Sequence, residues 1–375
     1  MIKSFINKKK GIIVKFDTKN KFRAIFNMNT GYYERTGIID ENRKDTGVDP
    51  FMTEFPELID IGICGSCAHG RSGLCVKAGI QCYQNGLEST NPDMTLENYK
   101  KIIDECKGKV FQIALGGCGD PDQHEHFEEI MRYTRGNNII PNFTSSGLGF
   151  TPEIVDICKR YAGAVAISWY RSKYTLRAIQ MLIDAGIKTN IHYVLGNNTI
   201  DEAIERLENN DWPKGIVNIV FLLHKPVGQG SKENVLKVDD PRVAKFFSLI
   251  DGREYDFGIG LDSCSVPGLI NFTKELDPNS FDTCEGGRWS MYITSDMKAL
   301  PCSFDNQELR WAYDISNDAI QNAWNSEQFD DFRNHFRNSC INCKCRNNCM
   351  SGCPIRREIV LCNREERDSY KSNKY

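Results

Sequence analysis

The chain has no run of about 18 apolar residues, so nothing in it reads as a membrane-spanning helix. It has no large charge imbalance either, since 47 Lys and Arg against 50 Asp and Glu leave a net charge of −3. That removes the electrostatic case for a nucleic acid or an anionic membrane as partner. The first residues, MIKSFINKKKGIIVKFDTKNK, are basic but lack an apolar stretch followed by a small-residue cleavage site. A cytoplasmic location is therefore expected. Internal repeats and low-complexity tracts are missing, which sets aside solenoids and disordered arrays. The first 55 residues contain neither cysteine nor histidine, so no metal ligand of those types lies there.

Cysteine, by contrast, is abundant. There are 16 in 375 residues, in a chain whose 40% hydrophobic and 26% charged content is otherwise that of a globular protein. In a small secreted chain such a count implies a disulfide framework. Here the chain is long enough for two or three domains with their own cores. Its cysteines crowd at the two ends of a central segment, and a reducing compartment favours metal binding over disulfides.

Three zones follow from the pattern. Residues 1–55 carry the alternating runs GIIVKFD and FRAIFNM separated by DTKNK, which predicts a small N-terminal β-meander. Its outer strand would offer an edge to a peptide. Residues 56–255 alternate strand-like segments (Leu58–Ile63, Val110–Leu115, Ile139–Phe143, Ala164–Ser168, Thr189–Leu195, Val217–Leu222) with amphipathic helical ones such as TLENYKKIIDEC and YTLRAIQMLIDAG. Thr95 and Thr151 stand where N-caps belong and Gly186 where a C-cap does. Six βα units predict an α/β fold, a partial (β/α)6 TIM-like barrel with right-handed crossovers. Residues 256–375 form a cysteine-rich C-terminal part, and the charged tail after Cys362 reads as frayed.

The first strand runs into ICGSCAHGRSGLCVKAGIQCYQNG, which puts Cys64, Cys67, Cys75 and Cys82 in the first βα loop, at the end where barrel sites form. Four thiols in one loop suit zinc or an iron–sulfur cluster, and spacing alone does not separate the two. The second strand leads into Gly116-Gly117-Cys118-Gly119-Asp120-Pro121, where glycines let backbone approach a ligand. Strand ends carry Ser146, Ser168 and Leu195, and His192 and His224 read equally as core or pocket residues. Cys106 and Cys158 fall on helical patterns and read as core.

The cysteine loop ending Cys82-Tyr83-Gln84, followed one βα unit later by Gly116-Gly117-Cys118-Gly119-Asp120-Pro121, resembles the radical S-adenosylmethionine (SAM) superfamily. That family spaces its cysteines C-x3-C-x2-C with an aromatic residue after the third. Here the match is Cys67, Cys75 and Cys82, spaced C-x7-C-x6-C, with Cys64 the competing ligand. The resemblance implies a [4Fe–4S] cluster on three thiolates, its fourth iron open to SAM. It assigns the methionine end to Gly116, Gly117, Gly119 and Asp120 (where Glu is more common), the ribose and carboxylate to Ser146 and Ser168, and the adenine to the segment around Leu195. Cys118, inside that loop, is a candidate hydrogen-atom donor to a substrate radical; the bland reading is a small buried residue.

Near the other end stands Cys340-Ile-Asn-Cys343-Lys-Cys345-Arg-Asn-Asn-Cys349-Met-Ser-Gly-Cys353, with Cys284 and Cys302 before it and Cys362 after. This is similar to the SPASM extension of radical SAM enzymes, which holds auxiliary [4Fe–4S] clusters. The resemblance, covering residues from about 56 to 365, implies a distal cluster on Cys340, Cys343, Cys349 and Cys362. It implies a proximal one on Cys284, Cys302 and Cys353, with Cys264 as the fourth ligand or an open iron in its place. Cys345 is a spare thiol or an alternative ligand. The function implied is modification of a ribosomally made peptide or protein by crosslinking, epimerisation or side-chain oxidation, fed by a reduced flavodoxin or ferredoxin-type donor. A radical enzyme acting on a small cofactor precursor and a zinc-stabilised binding module are the alternatives.

Overall fold

The structure is a computed structural model that describes residues 1–277 and 280–363. The charged tail lies, from residue 364 on, outside the described residues. None of the described helices is long and apolar enough to cross a membrane.

The first four strands, β1 (Ile2–Asn7), β2 (Ile12–Asp17), β3 (Phe22–Asn27) and β4 (Tyr33–Arg35), form an antiparallel meander in chain order. The alternating runs are β2 and β3; β1 adds a strand whose own alternation is weak. Seven parallel strands follow: β5 (Leu58–Cys64), β6 (Gln112–Gly117), β7 (Ile140–Ser145), β8 (Val165–Ser168), β9 (Thr189–Leu195), β10 (Asn218–Leu223) and β11 (Gly258–Leu261). Six match the expected strands, and β11 is an addition. On the far side of β5 the sheet continues into the cysteine-rich part. There β12 (Ser290–Ile293) pairs with β5 in parallel, and β13 (Lys298–Leu300) and β14 (Tyr313–Asp314) add antiparallel strands. The ten strands make one sheet, the α/β partial barrel that the βα repeats predict.

Local chemistry explains the helices between the strands. Thr95 accepts a hydrogen bond from the Asn98 N–H and Thr151 from the Ile154 N–H, satisfying otherwise orphaned amide donors. Gly186, at φ +71°, follows the helix Lys173–Asp184 in the left-handed conformation that ends helices. Alternation divides each strand between two surroundings. On β5, Ile59, Ile61 and Ile63 are wholly buried, each contributing about 2 kcal/mol through lost apolar surface, while Asp60 faces the barrel interior.

The meander closes the N-terminal end of the barrel. Ile13, Phe22, Ala24 and Phe26 pack on Phe111 and Ile140, where β6 and β7 begin, and on Trp289. Within this contact the buried Lys15 ammonium pairs with Glu57 at 2.7 Å and donates to the Lys109 carbonyl at 2.9 Å. Tyr33 donates to the same Glu57 carboxylate. Burial lowers the Lys15 pKa and the Glu57 charge opposes that. A buried pair of this kind adds little net stability, but breaking it leaves a charge stranded. Glu57→Leu should therefore lower unfolding free energy by roughly 3 kcal/mol in denaturant titrations. The double variant Lys15→Met/Glu57→Leu should recover most of that loss.

Candidate functional site

Beyond β5 the chain turns through a loop that the long cysteine spacing would seem to spread apart. Two short helices take up the slack. Cys67 caps the first, Ala68–Ser72, its Sγ accepting the Gly70 N–H at 3.0 Å. Gly73, at φ +69°, ends that turn and opens Leu74–Lys77, which carries Cys75. The seven residues between Cys67 and Cys75 thus coil back, and Cys67, Cys75 and Cys82 line one cavity at the C-terminal ends of the barrel strands. Its volume is about 1990 Å3, open mouth included. Burial pushes the Cys67 and Cys75 thiols up, and the neighbouring thiols' charges add to the rise. Gly86 leaves the space between them clear. A Cβ there would stand 3.2 Å from the Cys67 Cβ and 3.5 Å from the Cys82 Sγ. Cys64 turns elsewhere, donating to the Asp120 carbonyl at 3.5 Å, and does not line the cavity.

The loop after β6 brings Gly116, Gly117, Cys118, Gly119 and Asp120 to the same cavity. Gly117 has φ +115°, and a Cβ on it would meet the Cys64 carbonyl at 2.7 Å, so no other residue fits. Both Asp120 oxygens are engaged by Ser146, through its N–H at 2.8 Å and its Oγ at 2.5 Å. Ser146 is buried behind Asp120 and does not line the cavity; it holds Asp120 in place, while Thr144 on β7 is the residue that reaches in. Ser168 lines the cavity and Leu195 does not. The pleat of β9 sends Tyr193 and Leu195 into the core and turns His192 and Val194 towards the cavity. His192, within 3.3 Å of the Thr144 hydroxyl, is lowered by burial to about 4 and is neutral at ordinary pH. The Cys118 thiol lies in the lining 3.6 Å from the Gln84 carbonyl, and burial raises it to about 11, which keeps its hydrogen in place.

Other lining residues escaped the sequence reading. Tyr170 stands near Asp120 and the three thiols, and burial followed by those charges raises its phenol far above the usual range. His69 stacks on Tyr170 at 5.3 Å and meets the Tyr174 hydroxyl at 2.9 Å. Asp60 rises from the barrel floor, where burial and then the Glu285 charge push it up to about 7. A lone acid inside the apolar run LIDIGIC was the signal for it.

The C-terminal thiols fall into two further sets. Cys264 is hydrogen-bonded to Cys353, and that bond, then burial, raises it. Burial pushes Cys284 up to about 12 and also raises Cys302, with the Cys264 charge acting on both. Cys264 is therefore a neighbour of Cys284, Cys302 and Cys353, and Cys284 of Cys302. Cys340, Cys343, Cys349 and Cys362 line a separate hollow of about 480 Å3, open solvent included, and Cys345 lines it with them. Burial, with the charges of Cys362, Cys340 and Cys343 adding, raises Cys349 to about 12. Cys106 and Cys158 lie in the apolar core. Among the described residues no three ligand-type side chains close onto the point that a single ion needs. Three thiols of the first loop line open space in the barrel mouth and five line the outer C-terminal hollow, while Cys284, Cys302 and Cys353 gather around Cys264. Those donor sets fit thiolate-held [4Fe–4S] clusters, the three-thiol set leaving one iron free for another ligand.

After anaerobic reconstitution, Cys67→Ala, Cys75→Ala and Cys82→Ala should each lose the iron and acid-labile sulfide of one cluster relative to the parent chain. Cys64→Ala should lose none. An inverted result for Cys64 and Cys67 would reverse their assignment.

Residues 284–350 match the SPASM iron–sulfur cluster-binding domain. Over 340 residues the chain is 23% identical to the mycofactocin maturase MftC of Mycolicibacterium smegmatis, covering 82% of this chain and 83% of that protein. Among solved structures it resembles Streptococcus suis SuiB bound to S-adenosylmethionine, with a TM-score of 0.66, 14% identity, and 93% and 95% of the two chains covered. SuiB bound to its precursor peptide SuiA matches with the same TM-score and identity, over 94% and 95%. Native anSMEcpe with bound AdoMet matches with a TM-score of 0.56 and 16% identity, over 82% and 91%. The chain thus shares the fold of these S-adenosylmethionine-bound structures and joins a barrel with a three-thiol mouth to a SPASM iron–sulfur cluster-binding domain.

Proposed function

We propose that this chain is a cytoplasmic radical SAM enzyme that modifies a ribosomally made peptide or protein. The observation that carries the reading is the set of Cys67, Cys75 and Cys82 facing a large cavity, with a glycine-rich backbone beside them and Cys64 turned away. Cys67, Cys75 and Cys82 would hold a [4Fe–4S] cluster, which when bound would supply the one-electron reductive chemistry that splits SAM.

The chain's own residues bind, orient and shield. Gly116, Gly117 and Gly119 offer backbone to the methionine end of the cofactor, and Asp120, held by Ser146, fixes that loop. Ser168, Thr144 and His192 give polar contacts deeper in the barrel, and Val194 an apolar surface for the adenine. Tyr170 and His69 wall off the thiols from water. Cys264, Cys284, Cys302 and Cys353 would hold a proximal auxiliary cluster, and Cys340, Cys343, Cys349 and Cys362 a distal one. A reduced flavodoxin or ferredoxin-type protein would deliver electrons.

The peptide class draws support from MftC, a maturase by name, and from SuiB, which was solved with a precursor peptide. The outer meander strands β1 and β4 pair on one side only, leaving backbone groups to which a peptide strand can add. The Cys118 thiol is the candidate hydrogen-atom donor if the product is an epimer.

Anaerobic, dithionite-reduced protein should convert SAM to 5′-deoxyadenosine and methionine, read by liquid chromatography with mass spectrometry. The yield should fall to background in Cys75→Ala and rise when a peptide encoded beside the gene is added. A rise with small metabolites alone would point to the cofactor-precursor reading. A colourless protein containing only zinc would sink the radical reading. An unchanged product from Cys118→Ala would remove that thiol from the reaction.

A further inference from the structure

Lys225 and Asp262 occupy the wall between the barrel cavity and the Cys264–Cys284–Cys302–Cys353 set. Lys225 follows β10, Asp262 follows β11, and both line the cavity. The Lys225 side chain is only 1% exposed, an unusual state for an ammonium. It donates to the Asp262 Oδ2 at 2.5 Å and to the Leu223 carbonyl at 2.7 Å, and stands 4.3 Å from the centre of the Phe304 ring. Asp262 is fixed in turn by the Leu223 N–H at 3.2 Å and the Ser265 hydroxyl at 2.8 Å. The same segments carry the thiols, because Asp262 lies two residues before Cys264 and Phe304 two residues after Cys302. The lysine's charge is felt at both Cys264 and Cys302.

Buried ion pairs are costly, because both partners give up their hydration. One consequence of this placement is electrostatic. A [4Fe–4S] cluster becomes one unit more negative when it takes up an electron, and nearby fixed charges shift its potential. In a poorly screened interior an ammonium favours the reduced form and a carboxylate the oxidised form. We propose that the Lys225–Asp262 pair sets the reduction potential of the cluster held by Cys264, Cys284, Cys302 and Cys353, with Lys225 raising it and Asp262 lowering it. Both are positioning residues that act through the cluster, and the inference rests on the auxiliary-cluster assignment under the proposed function.

The test uses the full chain carrying Cys67→Ala, Cys75→Ala and Cys82→Ala, so that only auxiliary signals remain. It is reconstituted anaerobically and titrated against dithionite with mediators, followed by electron paramagnetic resonance. In that background Lys225→Met should move one auxiliary midpoint to lower potential and Asp262→Asn should move the same one higher. Lys225→Arg should return it towards the parent value, and the second auxiliary midpoint should stay put. A loosened site would shift both variants in the same direction, and that result, or two unmoved midpoints, overturns the inference. If Lys225→Met does not retain iron, Asp262→Asn decides: a rise upholds the proposal, and no change or a fall overturns it. A parent chain with no auxiliary signal and no matching iron overturns the cluster assignment itself. Normal cluster content with unmoved potentials overturns the inference alone.

Discussion

The parallel pairing of β12 with β5 is the constraint on which the rest of the molecule depends. Ser290 to Ile293 run in register beside Leu58 to Ile61, so the strand that ends in the first cysteine loop is also the strand to which the cysteine-rich part is bonded. Backbone ladders of this kind tolerate no sliding, because a one-residue slip would turn every buried isoleucine of β5 to the wrong face. Side chains reinforce the register. Gly62 has no room for a Cβ because the Tyr292 hydroxyl fills that space, and Gln84 donates to the same hydroxyl at 3.3 Å while accepting from Asn306. Tyr83, next to Cys82, packs on Phe304 with ring centres 4.6 Å apart. Relative placement of the three-thiol loop and the Cys302 loop is thereby fixed through ordinary packing.

The cysteine-rich part relies unequally on such packing. Its inner portion has a conventional core around Trp324 and Phe329, with the buried Arg333 guanidinium donating to the Gly287 and Trp324 carbonyls. A planar group with five donors satisfies several backbone acceptors at once, which is why arginine is tolerated there. The outer portion, residues 340–362, differs. Its helix Arg346–Cys349 is a single turn with no buried residue, and Cys340, Met350 and Ser351 all have positive φ. Between Cys340 and Met350 no side chain is fully buried and the thiols surround a hollow, while Ile359, Val360 and Leu361 anchor the far end in the main core. Binding free energy from a cluster held by these thiols would be folding free energy for this segment, whereas the set around Cys284 sits against Trp311, Phe332 and Phe336.

The parts of this design written in short-range chemistry were legible. Strand alternation, threonine N-caps and the glycine after Asp184 located the barrel units to within a few residues, because each signal acts within a few positions of itself. The grouping of thiols was legible through a family pattern, although the spacing between Cys67 and Cys75 gave no hint that two short helices would fold it back. Long-range pairing was not legible. The strand Gly258–Leu261 is four residues with two glycines, and only the neighbouring β10 makes it a strand. The junction of β12 with β5 joins segments more than two hundred residues apart, which no local pattern encodes. Side-chain direction at strand ends was also out of reach. Leu195 and Val194 differ by one step of the pleat, and Ser146 and Thr144 by two positions across the strand end, yet that decides which of each pair meets the cavity.

The cavity's polarity follows from the same geometry. Its walls come from strand interiors, which must be apolar where helices cover them, so each polar group facing inward stands out against that background. Asp120 is fully engaged by Ser146, Lys225 by Asp262, and Arg171 by Glu202 at 2.5 Å. These partners compensate the cost of burial locally, as buried polar groups require. Asp60 is the exception among them, a carboxyl on the floor that is raised by burial and has no protein hydrogen bond among the described residues. Among the described residues, the charged groups lining the cavity thus have a side-chain partner apart from this one carboxyl.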